Sequence, residues 1–361
     1  MNKRILILST SNLTTGALFH VNQTLKSIDS IKNIKTYLHC NRYTEINQKN
    51  NLEIKKVLFS QSRLMNFLYI FLYIPLFTFL KRIDITYCPW GLAPLFFRGK
   101  LIVGAHNPIF LLKKRSFYFD SLFYFLHKNS LKRADVIKVP SKSYAHFLSK
   151  LLSIPSRRFS IIHHGVDLKL WRNLINRSRE TNKKYFIFWS WFHETKGIEC
   201  MLYGFAKYYL KDIHSNYKLV LAGRFSNETY RDKIYDMTKS LGINNSVSFL
   251  IQPSLPKLIS SIKNSSGIIL PFKYETFGFP YIESRLFDKP IAVYKNLVSD
   301  EITEGQCFTF NSPAKFEIVK AFAYLTSFSR KKYSYKIGNE FHSKSEIRSL
   351  TSLFKRLLIE R

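Results

Sequence analysis

At 361 residues the chain is long for one compact domain and sufficient for two domains of ordinary size. Hydrophobic residues make up 46% of it, which argues against a disordered chain. The formal net charge is +32, which should attract polyanions such as nucleic acid, an anionic membrane surface or phosphorylated small molecules. A lysine-rich composition inherited from an A/T-rich genome is the alternative explanation of this charge.

The four cysteines indicate a reducing compartment. Cys40, Cys88, Cys200 and Cys307 lie far apart and show no C-x-x-C spacing, which argues against a zinc site and against a disulfide framework. A cytoplasmic location is therefore expected. The apolar run near the start covers only residues 5–8 before polar residues follow, so we interpret it as a first β-strand rather than a signal peptide.

Short apolar runs alternate with helical patterns along the first half, which is typical of parallel α/β layers. The predicted strands cover residues 4–8, 34–39, 54–59, 83–88, 101–105, 136–139 and 160–163. The predicted helices cover residues 17–30, 64–81, 117–133 and 143–152. This order predicts right-handed β-α-β crossovers.

The stretch from Leu64 to Leu80 is apolar enough to raise the question of a membrane segment. It has 17 residues, which is the short limit for crossing a bilayer, and Pro75 interrupts it. We favour a buried or interfacial helix over a spanning one.

The α/β pattern restarts after a polar, basic passage at residues 172–184, which predicts a hinge. The second half has predicted strands at 185–190, 218–222, 247–251, 267–270 and 291–293, and predicted helices at 197–211, 228–241, 256–263 and from Pro280. We predict two doubly wound Rossmann-like α/β domains at 1–171 and 180–342, with a C-terminal helix at 343–361 that packs back toward the first. Ligands of such domains bind at the carboxyl ends of the strands, and the cleft between two domains is the expected site.

Two loops at predicted strand ends carry candidate site residues. Gly16 follows the first strand and opens a helix, where a glycine lets a ligand approach the backbone, although an ordinary strand-to-helix turn is the favoured interpretation of this position taken alone. The stronger candidate is the segment from Tyr274 to Ser284, in which Glu275, Gly278 and Glu283 follow a buried strand. Two carboxylates and an amide-rich turn then converge, and carboxylates accept hydrogen bonds from sugar hydroxyls. Helix capping alone would explain Glu283 but not the whole group.

At this point the chain resembles the retaining glycosyltransferases of group 1 (family 4), whose hallmark is E-x7-E and whose fold is GT-B. Glu275 and Glu283 occupy the two acidic positions. Further similar segments are 105–107, 134–141, 164–167, 195–197, 219–223 and 266–270, so that the resemblance covers nearly the entire chain. It implies two Rossmann-like domains that face each other across a cleft.

The resemblance also implies roles for particular residues. Glu283 would bind the ribose of a nucleotide-sugar donor, Glu275 the transferred sugar, and Lys196 the diphosphate without a metal or other cofactor. The backbone amides of Phe277, Gly278 and Phe279 would lie beside the sugar. Gly16 would approach the phosphates, and His106 would face the reacting centre from the acceptor domain. A structural, hydrogen-bonded histidine is the alternative for His106.

One position departs from the family pattern. The family usually has an arginine five residues before the lysine, where this chain has Trp191. Loss of a guanidinium should weaken diphosphate binding, because arginine binds phosphate with two parallel hydrogen bonds. Arg224 is a candidate replacement for that charge.

The expected function is a hexosyltransferase-type reaction from a nucleotide sugar to a glycan or lipid-linked acceptor, in bacterial surface polysaccharide or lipopolysaccharide assembly. The acceptor hydroxyl would arrive on the face from which the diphosphate leaves. The charge and the Leu64–Leu80 stretch favour a peripheral position on the anionic inner face of the plasma membrane. Two alternatives stay open: a nucleotide-sugar-binding protein without turnover, and a basic nucleic-acid-binding protein, for which no sequence motif was found.

Overall fold

The structure is a computed structural model that describes residues 2–10, 15–46, 51–58, 62–106, 118–181, 183–210, 216–311, 315–327 and 333–360. The chain divides into two compact units, one of Met1–Gly165 with Glu340–Arg361 and one of Val166–Asn339. Each unit has its own parallel sheet with helices, so the predicted doubly wound α/β class is confirmed for both.

In the described residues, the first unit has seven strands, all parallel to their neighbours. They are β1 (Lys3–Ser9), β2 (Ile34–Asn41), β3 (Leu52–Val57), β4 (Ile85–Cys88), β5 (Lys100–Gly104), β6 (Val136–Val139) and β7 (Phe159–Ile161). Their order in the sheet is β3-β2-β1-β4-β5-β6-β7. The order reverses between β1 and β4, as in doubly wound nucleotide-binding folds.

The helices of the first unit include the last helix of the chain. They are α1 (Thr15–Asp29), α2 (Arg63–Leu68), α3 (Ile74–Leu80), α4 (Tyr118–Arg133), α5 (Lys142–Leu152) and α13 (Ser343–Ile359). Helix α13 packs on α1, and its Leu350, Leu353, Phe354 and Leu357 join the core formed with β1 and β2. Burial of this apolar face holds the C-terminal segment in the first unit.

The predicted helix at 64–81 is divided in two by a π-helical segment, Tyr69–Tyr73. Pro75 lies two residues after its end and has no backbone N–H to donate, which favours a wider turn just before it. One side of the combined segment is buried through Tyr69, Ile70, Ile74 and Phe77. Among the described residues, no helix has the length and apolar character needed to cross a bilayer.

The described part of the second unit has six parallel strands in the order β10-β9-β8-β11-β12-β13. These strands are β8 (Tyr185–Phe192), β9 (Lys218–Phe225), β10 (Val247–Ile251), β11 (Gly267–Leu270), β12 (Ile291–Tyr294) and β13 (Phe308–Phe310). Its helices are α6 (Leu168–Arg177), α7 (Ile198–Tyr209), α8 (Glu228–Ser240), α9 (Leu255–Lys263), α10 (Phe279–Ser284), α11 (Ser299–Thr303) and α12 (Lys315–Ser327).

The structure differs from the sequence-based prediction at residues 172–184, where a hinge was expected. Helix α6 extends to Arg177, because the Asp167 carboxylate accepts the Leu170 amide at 3.0 Å and the helix buries Leu168 and Trp171. Strand β13 and helices α11 and α12 were also not predicted. The parts of the predictions that fall on Phe59, Asn107, Phe117, Lys211 and Arg361 lie outside the described residues.

Candidate active site

The order of the strands in the second unit reverses between β8 and β11. In open parallel sheets, ligands bind beside the carboxyl ends of the strands at such a reversal. Two loops leave the sheet there: residues 193–197 after β8 and residues 271–278 after β11. The two loops carry Lys196, Glu275 and Gly278, which the sequence had singled out.

These two loops are joined by backbone contacts. The Lys273 amide donates to the Thr195 carbonyl at 3.0 Å. Gly197 has φ +71°, and a Cβ atom at this position would lie 2.1 Å from the Pro271 carbonyl oxygen. Only glycine therefore fits between the loops, and the close approach fixes the backbone next to Lys196.

Lys196 and Glu275 form an ion pair between the loops, with Lys196 Nζ donating to Glu275 Oε1. Both side chains are largely shielded, with 16% and 14% of their surface exposed. The Lys196 ammonium also lies 4.8 Å from the centre of the Phe272 ring. Lys196 retains further N–H donors for an anionic ligand, since an ammonium group has three.

Gly278 begins the short helix α10, with φ +79° and ψ +82°. A side chain here would require a conformation that L-residues rarely adopt, and its Cβ would contact the Tyr281 ring at 2.7 Å. Phe277 is buried, and its ring packs edge-on to Phe279 with centroids 5.5 Å apart. The structure thus places Phe277, Gly278 and Phe279 in one turn beside Glu275.

Asn296, which follows β12, holds this loop from a third strand end. Its amide donates to the Phe272 carbonyl at 2.8 Å and to the Tyr281 hydroxyl at 2.7 Å. Sequence analysis missed Asn296, because it lies 24 and 15 positions from its two partners and belongs to no recognised motif.

Glu283 lies on α10 and is held from β8. The Trp189 indole Nε1–H donates to Glu283 Oε2 at 2.7 Å. Burial raises the pKa of Glu283 to about 7, while the hydrogen bond from Trp189 opposes that rise. The second predicted carboxylate is thus an inward-facing group whose ionisation is poised near neutrality. Sequence analysis also missed Trp189.

Trp191 and Arg224 are paired in the sheet, near the carboxyl ends of the neighbouring strands β8 and β9. Trp191 is 40% exposed and stacks on His193, with centroids 4.9 Å apart. The Arg224 side chain is exposed, and in the described part of the chain no hydrogen bond or ion pair joins it to Lys196 or Glu275. Arg224 therefore lies at the same sheet edge without contacting the ion pair.

In the first unit, His106 lies among other aromatic residues after β5. Its ring centroid is 4.9 Å from that of His20, 5.0 Å from His164 and 5.7 Å from Trp90. Burial lowers the pKa of His106 well below its usual value, and the neighbouring Lys138 charge adds to the effect. His106 is therefore a neutral imidazole at physiological pH. Gly16 is partly exposed in the first turn of α1.

A buried carboxylate that the sequence did not reveal lies beside these histidines. Glu346 of α13 accepts hydrogen bonds at Oε1 from His20 Nδ1 at 3.0 Å and from His164 Nδ1 at 3.2 Å, and at Oε2 from the Gly165 amide at 2.9 Å. The Lys138 ammonium is 3.9 Å from Oε1 and is fully buried. These contacts outweigh the effect of burial and lower the pKa of Glu346 well below its usual value, so it is ionised.

His20, His164 and Glu346 are also a group that could hold a metal ion, since their ligand atoms lie within 4.8 Å of one another. Burial lowers the pKa of Lys138 to about 8, so at neutral pH its ammonium still balances the Glu346 charge. A divalent cation bound to this group would be repelled by the Lys138 ammonium, which lies 3.9 Å from Glu346 Oε1. Hydrogen bonding and Lys138 therefore explain this arrangement without a metal.

Comparisons with known proteins agree with this architecture. The sequence model of Glycosyl transferases group 1 matches residues 172–328, and that of Glycosyltransferase Family 4 matches residues 35–170. The O-antigen chain mannosyltransferase of Salmonella typhimurium is 25% identical over 224 residues, which are 58% of this chain and 60% of that protein. The chain spans 40% to 60% of the length of the curated relatives that it matches.

Solved structures share the fold at low sequence identity. A glycosyltransferase from Rickettsia africae superposes with a TM-score of 0.73 at 13% identity, covering 100% of both chains. The Anabaena protein HepE, solved in complex with UDP-glucose, gives a TM-score of 0.67 at 13% identity and covers 98% of this chain and 99% of its own. The two adjacent family matches, on two Rossmann-like units of this topology, show that the chain belongs to the group 1 glycosyltransferases and has their GT-B fold.

Proposed function

We propose that this protein transfers a sugar from a nucleoside-diphosphate sugar to an acceptor hydroxyl, with retention of configuration and without a metal. The observation that carries the proposal is the ion pair of Lys196 and Glu275 at the sheet reversal of the second unit, with Glu283 on the helix that follows. A cation can bind a diphosphate, and two carboxylates can accept hydrogen bonds from a ribose and a sugar. A glycine turn lets the sugar approach the backbone amides.

Each of these residues receives a role that its chemistry allows. The Glu283 carboxylate accepts hydrogen bonds from the ribose hydroxyls, and Glu275 accepts them from the transferred sugar. The Lys196 ammonium shares its hydrogen bonds between Glu275 and the diphosphate. Its positive charge stabilises the leaving group as negative charge develops there. The Phe277, Gly278 and Phe279 amides complete the sugar site.

The reaction step needs no protein nucleophile in this scheme. The acceptor oxygen bonds to the anomeric carbon on the face from which the diphosphate oxygen departs, and a leaving phosphate oxygen takes the acceptor proton. The protein contributes positioning and charge stabilisation. In the first unit, we assign acceptor binding to the surroundings of His106, whose neutral imidazole can donate or accept a hydrogen bond. We assign to Gly16 the close approach of the backbone to the donor phosphates.

The proposal is tested first by ligand-induced stabilisation. Bound donor raises the melting temperature by mass action, so UDP-, GDP-, ADP- and TDP-sugars should separate into one that stabilises the protein and others that do not. Glu275→Ala and Lys196→Ala should abolish transfer and leave the protein folded. Lys320→Ala, which removes a surface ion pair with Glu317 on α12, is the matched control. Full transfer by the Glu275 and Lys196 variants would overturn the proposal.

Binding without turnover is a second candidate, and Trp191 is the observation that favours it. The aromatic ring in place of the family arginine removes one cation from the expected diphosphate site. Such a protein would be stabilised by donor but release no nucleotide with any acceptor. NMR of the sugar product, which reports the anomeric configuration, tests the retaining mechanism if transfer occurs.

For the setting, we propose bacterial surface polysaccharide or lipopolysaccharide assembly at the cytoplasmic face of the plasma membrane. The O-antigen mannosyltransferase among the relatives supports this. So does an apolar stripe on α2, the π-helical segment and α3. Its residues are exposed by 38% to 71% and comprise Leu64, Met65, Leu68, Leu72, Leu76, Phe79 and Leu80. Single exposed leucines are ordinary, whereas a continuous row on one helix face marks an interaction surface.

The charge around this stripe fits a bilayer with anionic lipids. Between Glu53 and Asp84 the chain has five basic residues and no acidic one. Lys55 lies against the segment, with its ammonium 2.6 Å from the Tyr73 hydroxyl, and Lys81 is exposed at the end of α3. An apolar helix face with flanking cations is the arrangement that interfacial helices use.

Vesicle sedimentation tests this docking. The protein should bind vesicles of phosphatidylglycerol and phosphatidylcholine, and binding should fall with added salt. Leu72→Gln with Leu76→Gln should weaken it, whereas Leu210→Gln, at an equally exposed leucine of the second unit, should not. Equal binding by the two variants would place the contact elsewhere.

A further inference from the structure

The hydrogen bond from Trp189 to Glu283 connects the middle of the sheet with the predicted donor site. Trp189 is 4% exposed and lies in β8, a strand hydrogen-bonded to β9 on one side and β11 on the other. Its backbone is thus fixed by the sheet. The indole Nε1–H reaches the carboxylate oxygen Oε2 of Glu283 at 2.7 Å.

An indole is an unusual donor to place beside a carboxylate. It carries one N–H, accepts no hydrogen bond and does not titrate, so it donates whatever the pH. The bond occupies one acceptor position on Oε2 and fixes the rotation of the carboxylate. The Oε1 atom and the remaining lone pair of Oε2 are then oriented for other donors.

We propose that Trp189 is the residue that positions Glu283 for the donor, by orienting its carboxylate toward two ribose hydroxyls. This rests on the role proposed above for Glu283 and extends it to a residue that touches no substrate. A protonated carboxyl would offer a proton where the hydroxyls also offer protons, and would lose part of its capacity as an acceptor.

Burial raises the pKa of Glu283 to about 7, and the Trp189 bond is the interaction that opposes this rise. Without the indole N–H the pKa should increase further, and a larger fraction of the protein would carry protonated Glu283 at pH 7. Donor binding should then weaken at neutral pH and recover in more alkaline solution, where the carboxylate ionises in both proteins.

The variant Trp189→Phe removes the N–H and keeps an aromatic ring in the strand. Trp171→Phe is the matched control, since Trp171 is also buried in the second unit and packs edge-on to Phe287 without a bond to Glu283. The first measurement needs no donor: NMR titration of 13C-labelled glutamate carboxyl groups gives the pKa of Glu283, assigned by its loss in Glu283→Gln. We expect a higher pKa in Trp189→Phe and an unchanged one in Trp171→Phe.

The second measurement is the donor KM between pH 6 and pH 9. In Trp189→Phe we expect KM to rise about tenfold at pH 7, the scale of one charge-assisted hydrogen bond, and to approach the wild-type value at pH 9 while kcat changes little. In a Glu283→Gln background, Trp189→Phe should have almost no further effect. A merely structural tryptophan would lower stability without moving the pH profile.

Two results separate this inference from the proposed function. An unchanged Glu283 pKa in Trp189→Phe overturns the positioning role, whatever the protein binds. A raised pKa together with no binding of any nucleotide sugar by the wild-type protein would leave the contact between the two residues intact and overturn the donor-site role of Glu283, and with it the function assigned to Trp189.

Discussion

Glu346 accepts the backbone amide of Gly165 at 2.9 Å, although the two residues lie 181 positions apart in the chain. Gly165 is the last residue of the long segment of the first unit, and Glu346 lies just after the chain re-enters that unit at Glu340. A Cβ atom at Gly165 would lie 2.3 Å from Cα of Ser343, so the backbones are in direct contact. One buried carboxylate therefore links, by a hydrogen bond, the segment where the chain leaves the first unit to the segment where it returns.

The variant Glu346→Gln should destabilise the first unit strongly. It keeps the shape of the side chain but leaves the buried Lys138 ammonium without its counter-charge. Breaking a buried ion pair from one side typically costs about 3 kcal/mol or more. We expect a loss of that size in the free energy of unfolding, measured by urea denaturation at pH 7.5.

The control for this change is Glu360→Gln, which removes an exposed carboxylate near the end of the same helix. It should change the free energy of unfolding by less than about 1 kcal/mol. Lys138→Met combined with Glu346→Gln should recover part of the loss, because no unpaired charge is then buried. Equal stability of the two single glutamine variants would contradict the role assigned to Glu346.

Gly197→Ala should damage both stability and activity. The alanine would have to adopt φ +71°, and its Cβ would lie 2.1 Å from the Pro271 carbonyl oxygen, so the two loops would separate. We expect a loss of about 2–3 kcal/mol in the free energy of unfolding and a large fall in transfer, because Lys196 is the neighbouring residue.

Gly242→Ala separates the two contributions to this effect. Gly242 has a similar φ, +68°, but nothing within 4 Å of a Cβ placed there. Its replacement should show the conformational cost alone, about 1 kcal/mol, with unchanged activity. If Gly197→Ala behaves like Gly242→Ala, the close approach of the loops does not matter for the site.

The sequence was sufficient for the fold class because most of the strands are short apolar runs. Ile5, Leu6 and Ile7 are fully buried in β1, as their pattern predicted. The π-helical segment before Pro75 could not be predicted, because a helical periodicity does not reveal a locally wider turn. Helix α6 was missed because the polar and basic residues from 172 onward were interpreted as a hinge, although Leu168, Trp171 and Ile175 recur at helical spacing.

Within the candidate site, the residues on the two glycine-containing loops could be predicted from the sequence, whereas the residues that support these loops were missed. Lys196, Glu275 and Gly278 belong to local motifs and could be located by spacing. Trp189 and Asn296 act through hydrogen bonds that span 94 and 15 to 24 positions. Such partners are brought together by the order of strands in the sheet, which no single segment of the sequence contains.

Acid should affect the two units in opposite directions. Burial is the main cause that lowers the pKa of His20 and His39 to about 3 and of His127 to about 4, all in the first unit. Below about pH 6.5 the unfolded chain takes up protons that these folded imidazoles do not, so the first unit loses stability as pH falls. Each such histidine contributes about 1.4 kcal/mol per pH unit between pH 6.5 and its folded pKa.

The second unit contains Glu283, whose pKa burial raises to about 7. Between pH 7 and its unfolded pKa near 4.5, the folded state binds a proton that the unfolded state does not, so this group stabilises the unit as pH falls.

Hydrogen exchange at pH 7.5 and 5.5, corrected for intrinsic rates, should show faster opening of the first unit only. His39→Gln should reduce that pH dependence and His146→Gln, at an exposed histidine, should not. Equal acid sensitivity of both units would contradict the burial of these groups.

Trp191→Arg should strengthen binding of the donor diphosphate. Trp191 is 40% exposed at the end of β8 and packs only its ring face on His193 among the contacts described for it, so its replacement should cost little stability. A guanidinium five residues before Lys196 restores the cation that the family pattern places there and can bind two phosphate oxygens at once. We expect the Kd for the nucleoside diphosphate to fall about tenfold at low ionic strength, with the gain reduced by salt.

Isothermal titration calorimetry of the wild type, Trp191→Arg and Trp191→Ala distinguishes charge from the loss of the ring. Trp191→Ala removes the stacking without adding a cation and should not tighten binding. A Trp191→Arg protein that binds diphosphate no better than Trp191→Ala would mean that the end of β8 does not face the phosphates. Lys196 would then have to hold them without help from that strand, which the same titration of Lys196→Ala would show as a complete loss of binding.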